Sequence, residues 1–189
     1  MIRKIFAASV MLAAMQGCGS DSDTGPTENV TKGPGAALKC MSSGNDAFDT
    51  YGADAFVAVN KAIVANAVAE LTANGTTNLG DSFTKVGSGT PPSTTDDMAT
   101  FEGKLAAFLV YAYGGPESIT YSDGKTYSGL QNMTVAHVGL GITSDQYDYF
   151  LTNQIVPALT ASGVPETDIS SCFAPILTDA TFKASIVGK

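Results

Sequence analysis

Apolar side chains recur every three to four residues along most of this chain, and glycine and proline punctuate them. That pattern constrains it to fold as packed helices. Phe56, Val59, Ile63, Ala67 and Leu71 make one face of a first helix, from about Ala53 to Leu71, with Asn74-Gly75 as its stop. Phe101, Leu105, Phe108, Leu109 and Ala112 make the stripe of a second, from about Asp97 to Tyr113. Asp96 or Asp97 caps its start, and Gly114-Gly115-Pro116 ends it. A third begins near Ser144, where Thr143 and Gln146 have capping-box spacing. Its face is Tyr147, Phe150, Leu151, Ile155 and Leu159, with Gly163 closing it and Pro157 expected to kink it. A fourth runs from Pro165 to about Val187, bent or broken by Pro175. Residues 85–95, rich in Gly, Ser, Thr and Pro, read as a loop, as do residues 117–129. No strand ladder is evident. The fold class is all-α, and periodicity by itself supports a small helical bundle.

The first residues carry a different message. Residues 1–17 read as an export signal, with Arg3 and Lys4 ahead of an apolar run from Ile5 to Met15 that is too short to span a bilayer. Cys18 follows Met15-Gln16-Gly17, the setting of a lipid-modified cysteine, although Met15 stands where leucine is usual. The alternative is an ordinary signal with an incidental cysteine. Residues 18–39 read as a flexible tether and residues 40–189 as one domain. Gly19 after Cys18 points to the outer membrane of a two-membrane bacterium, hence to a periplasmic or cell-envelope lipoprotein. In that oxidising setting Cys40 and Cys172 either form a bridge between the domain's start and its last helix or remain unrelated thiols. A formal charge of −8 argues against a nucleic-acid partner. No phosphate loop, Cys-x-x-Cys pair or zinc-spaced cluster appears.

His137 is the only histidine, in Met133-Thr-Val-Ala-His137-Val-Gly-Leu-Gly-Ile-Thr143. Upstream lie Phe108-Leu-Val-Tyr-Ala-Tyr-Gly-Gly-Pro116 and Tyr127-Ser-Gly129. Downstream lie Asp145-Gln-Tyr-Asp-Tyr-Phe150 and Gly163-Val-Pro165. In order and spacing these segments resemble the truncated haemoglobins of the first group. The resemblance implies a two-over-two helical sandwich, a non-covalent haem b and His137 as the proximal iron ligand. It implies a distal side made of Val64 on the first helix and Leu105 on the second, with Phe101 at the pocket gate. Family members often carry tyrosine and glutamine at the first two positions, so here the distal pocket is expected to be apolar. Lys104 matches a position that either pairs with a haem propionate or supplies a sixth ligand to iron. Phe83 matches a phenylalanine that packs on the haem, and Tyr127 a tyrosine near the propionates. Phe108 and Leu109 match residues that line a ligand tunnel, and plain core packing is the equal alternative.

The function implied is reversible binding of a diatomic gas: dioxygen, nitric oxide or carbon monoxide. Membrane contact would come through the lipid on Cys18, and a redox partner is not legible. Nitric-oxide or peroxide chemistry at haem stays open, since no acid, base or nucleophile set is visible. Two other readings stand beside it. One is a haem-free globin-like envelope lipoprotein with a binding or structural role. The other is a haem carrier.

Overall fold

The computed structural model describes residues 32–87, 98–120, 124, 126–127 and 132–189. The expected export signal, Cys18, the expected tether up to residue 31, the expected caps Asp96 and Asp97 and most of the expected 85–95 loop lie outside the described residues.

Among the described residues the architecture is helical, with one short two-stranded ribbon. The helices are α1 (Ala47–Asn74), α2 (Ser82–Gly87), α3 (Met98–Ala112), α4 (Met133–His137) and α5 (Ser144–Phe150). They continue with α6 (Val156–Ala161), α7 (Glu166–Asp168), α8 (Ala174–Leu177) and α9 (Ala180–Ala184). One layer is α1 on α3. The other is built from two helical runs, 144–161 and 166–177, and α1 packs on the first of them. Between the layers sit Phe56, Val59 and Ile63 of α1, Ala107 and Val110 of α3, and Ile155, Leu159 and Phe173 from below.

Four features differ from the sequence expectations. First, α1 starts at Ala47, not Ala53, because Asp46 caps it by accepting from the Asp49 amide. Gly52, at φ 75°, interrupts that start, and a left-handed backbone there is what glycine permits. Second, the runs through Pro157 and Pro175 are not regular α-helices. Each proline lies two residues past a π-helical turn, at Leu151–Ile155 and Ile169–Phe173. A proline has no N–H for the carbonyl four residues back, and a widened turn moves the neighbouring bonds to i−5. The Val156 amide accordingly donates to Leu151 and the Ala174 amide to Ile169. Third, the fourth run does not reach Val187 as one helix. It stops at Thr178, and Asp179 starts α9 by accepting from the Phe182 amide at 2.8 Å. Fourth, residues 119–120 and 126–127, expected as loop, pair as antiparallel strands β1 (Ile119–Thr120) and β2 (Thr126–Tyr127). Gly124, at φ 80°, lies in the connection.

The packed fold also begins earlier than the expected domain start at Cys40. Lys32 pairs with Asp46 and Asp49 at 3.1 and 2.6 Å. Pro34–Ala37 forms a 3-10 turn against α3. A β-carbon on Gly35 would meet the Ala112 carbonyl oxygen at 2.4 Å, so only glycine allows that approach. The segment thus expected as tether up to Lys39 is packed from Lys32 onward.

Cys40 and Cys172 are joined in a disulfide, 132 residues apart in sequence and both buried. Beside it the Asp168 carboxylate, fully buried, accepts from the Ser42 amide at 2.9 Å, the Ser42 hydroxyl and the Tyr51 hydroxyl at 2.5 Å. Burial pushes this carboxyl up, but those hydrogen bonds together outweigh it and hold it below its ordinary range. Burial, with Asp168 adding to it, pushes the Tyr51 phenol up to about 12. Closing so long a loop removes chain entropy from the unfolded state. Replacing both cysteines by serine should lower stability by about 4–5 kcal/mol, read from urea unfolding of the oxidised wild type and the variant. A loss near zero would mean that the bridge constrains nothing the rest of the fold does not already hold.

Candidate functional site

His137 ends α4, a helix of five residues with none of them buried. Asn132 starts it by accepting from the Thr134 amide at 2.9 Å. The chain then turns at once: the Leu140 amide donates to the His137 carbonyl at 3.1 Å, and Gly139 and Gly141 take φ of 82° and 65°. Lys85 of α2 donates to the Gly139 carbonyl at 3.3 Å.

One turn of helix brings the imidazole back over its own first residue. Nδ1 lies 2.8 Å from the Met133 carbonyl oxygen. A carbonyl only accepts, so Nδ1 carries the proton and donates. In the neutral ring Nε2 then bears the lone pair. Burial lowers the His137 pKa from 6.5, opposed by the Met133 carbonyl, so the ring is neutral at pH 7. Its two nitrogens are thereby assigned different tasks.

On α3 the order of burial is inverted. The small Ala106 and Ala107 are buried with Val110, while the larger Phe101, Leu105, Phe108 and Leu109 are half-buried. Phe101, Leu105 and Phe108 share a stripe at i, i+4 and i+7. Phe108 stacks on Phe182 of α9, with ring centres 6.2 Å apart and planes at 12°. Leu109 instead lines an apolar cavity of about 210 Å³ between the layers, with Ile63, Tyr113, Leu159 and Phe173. Neighbours on one helix therefore serve different spaces, and of the candidate haem-contacting residues only Leu109 reaches that cavity.

The remaining positions lie on α1, α2, α3 and β2. Val64 is 4% exposed on α1 and stands outside the main apolar cluster that holds its neighbour Ile63. Phe83 of α2 packs on Phe150 of α5, 5.5 Å between ring centres. Lys104 is exposed on α3. Tyr127 lies on β2, which runs beside α3, and its side chain is outside the described residues.

Three residues were not singled out from sequence as part of the site. Phe150 and Phe182 are the aromatic partners of Phe83 and Phe108. Phe182 was hidden by the helix break before α9, which resets its direction. Asn60 is 1% exposed on α1, one turn before Val64. Its Nδ2 donates to the Glu102 carbonyl of α3 at 2.9 Å, and its Oδ1 has no partner among the described residues. An amide inside an otherwise apolar face was the available signal.

With one histidine in the chain, a single set of imidazole ring resonances reports the site. An NMR titration of the haem-free protein should place its midpoint below pH 6.5. The sign of the linked stability is set by that shift. The unfolded chain binds this proton first, so His137 costs stability as pH falls through the unfolded value, and the loss levels off below the folded value. A midpoint at or above 6.5 would mean that the ring is solvated.

Residues 89–183 match the family model described as bacterial-like globin. The matched span holds α3, α4 with His137, and most of the lower layer, whereas Val64 and Phe83 precede it. It covers half of the chain, and together with the all-α two-layer fold it shows that this protein belongs to the bacterial-like globins, in the truncated globin family.

Proposed function

We propose that this globin binds haem b non-covalently through Nε2 of His137 and uses it to bind a diatomic gas reversibly. One observation carries the reading: the Met133 carbonyl fixes the proton on Nδ1, and burial keeps the ring neutral. A neutral imidazole with an oriented Nε2 lone pair is the donor that haem iron takes, and a carbonyl on the other nitrogen is the support such ligands use. The residues present therefore fit the group. In this reading the half-buried stripe Phe101, Leu105 and Phe108 supplies an apolar wall, to which the family resemblance assigns Phe83 and Val64 as well. Lys104, exposed on α3, pairs with a propionate in this reading. The iron, when bound, supplies the site at which the gas is held.

The chain's own residues set the preference among gases. Bound dioxygen would carry partial negative charge, and a hydrogen-bond donor from the chain would retain it best. Val64 and Leu105 offer none. Carbon monoxide and nitric oxide depend less on such a bond, so they are favoured relative to dioxygen. The export signal and Cys18 complete the proposal with a lipid-anchored protein of the cell envelope, on the outer membrane.

Two measurements test this. Haem added to residues 19–189 should give a stoichiometric Soret band, and His137→Ala should weaken or strongly shift it. A folded wild type that takes up no haem would favour the haem-free reading. In the ferrous protein, Leu105→Gln should slow dioxygen dissociation by about tenfold, as expected for one hydrogen bond of roughly 1–1.5 kcal/mol. An unchanged rate would place Leu105 away from the gas.

A further inference from the structure

We propose that the C-terminal strap, α9 and the residues after it up to Lys189, positions His137, with Phe182 as the positioning residue. This inference rests on the haem reading above. The reason lies in what α4 lacks. It is one turn long, and its inward residues Met133, Ala136 and His137 are only half-buried, so its own packing fixes it weakly. Something else must hold the turn that ends in His137.

The strap does so by hydrogen bonds. The Gly141 amide donates to the Lys189 carbonyl at 3.0 Å, and the Gly188 amide to the Ile142 carbonyl at 2.9 Å. These bonds fall directly after the His137–Leu140 turn. Leu140 and Ile186 are 7% and 8% exposed, yet neither belongs to the main apolar cluster. Lys183 pairs with Asp148 of α5 at 2.6 Å and lies 5.4 Å from the centre of the Tyr147 ring. The strap is therefore anchored on the helix that comes after the turn.

Its other side reaches α3. Phe182 stacks on Phe108, next along the stripe from Leu105. Phe182 and Lys183 are adjacent, so α9 binds the upper layer with one residue and α5 with the next. The helix break before α9 makes this possible, since Asp179 caps the Phe182 amide and starts α9 in a new direction. One connected path thus runs from Phe108 through Phe182 and Lys183 to the segment that clamps Gly141 and Ile142. Together with Lys85 of α2, which donates to the Gly139 carbonyl, the strap ties the turn after His137 to α3 and α5.

The test uses the full chain loaded with haem. Its readouts are the iron–histidine stretching band of the ferrous protein and the rate of haem loss to an excess of a scavenging apoprotein. Phe182→Ala should shift or broaden the band and speed haem loss by about ten- to a hundredfold, the effect typical of removing a support to a metal ligand. Phe182→Tyr, which keeps the stacked ring, should retain the wild-type band and rate. A Phe182→Ala protein with wild-type band and rate overturns the proposal. Should Phe182→Ala fail to fold by circular dichroism, hydrogen exchange decides in the folded chain. The Gly141 and Gly188 amides should be protected in the wild type and should open together in Lys183→Met. Unprotected amides in the wild type overturn the strap's role. A wild type that takes up no haem overturns the functional reading and this one with it, whereas haem held by His137 with Phe182→Ala unchanged overturns the strap alone.

Discussion

The buried carboxylate of Asp168 is the constraint on which the rest of this fold leans. It is fully buried, and it is held by neutral donors: the Ser42 amide and hydroxyl and the Tyr51 phenol. An ionised group in that place is tolerated only while all of its donors stay in position. Those donors come from the segment ahead of α1 and from α1 itself, while Asp168 belongs to the lower layer. The disulfide from Cys40 to Cys172 joins the same two parts one turn away. Phe173, next to Cys172, then packs on Tyr51, Phe56 and Tyr113, which places the ring cluster of the core directly behind the junction. Moving α1 against the lower layer would strip the carboxylate of hydrogen bonds and unpack those rings together.

The two prolines of the lower layer show how such a fixed junction is reconciled with helices that cannot be regular. A straight α-helix through Pro157 or Pro175 would lack a bond and crowd the preceding turn. A π turn before each proline inserts one residue and rotates the helix upstream of it by about a quarter turn relative to the helix downstream. Cys172 and Phe173 lie within one of these turns, and Gln154 and Ile155 within the other. The widened turns thus present some of the residues that meet α1, and α6 presents the others.

Much of this was legible in the sequence, for a physical reason. Helix periodicity survives wherever one face is buried, so the stripes of α1 and α3 and the Thr143–Gln146 capping box were readable. The flanks of His137 carried the family because a one-turn helix that ends in a glycine turn needs particular residues in a short span. Other features depend on partners far away in the chain. The packing of residues 32–39 rests on the close approach of Gly35 to Ala112, and nothing local to either residue announces it. The break at Thr178 is a matter of Asp179 capping a new helix rather than decorating an old one, and both readings fit the same residues. Aromatic partners such as Phe150 and Phe182 become visible only when two elements meet.

Asn60 bears on how far the wall between α1 and α3 can be called apolar. The residues that the family resemblance brings to that wall, Val64 and Leu105, offer no polar atom, yet one turn before Val64 a fully buried amide spans the two helices. Its orientation matters more than its presence. Nδ2 is committed to the Glu102 carbonyl, so the atom left unpartnered among the described residues is Oδ1, an acceptor. A buried acceptor without a donor costs about 1–3 kcal/mol. An amide held this way adds polarity between α1 and α3 without adding a donor. Were the amide turned over, Oδ1 would confront the Glu102 carbonyl, two acceptors in contact. The helix carbonyl of α3 thus selects the orientation of Asn60, just as the carbonyl of Met133 selects the tautomer of His137.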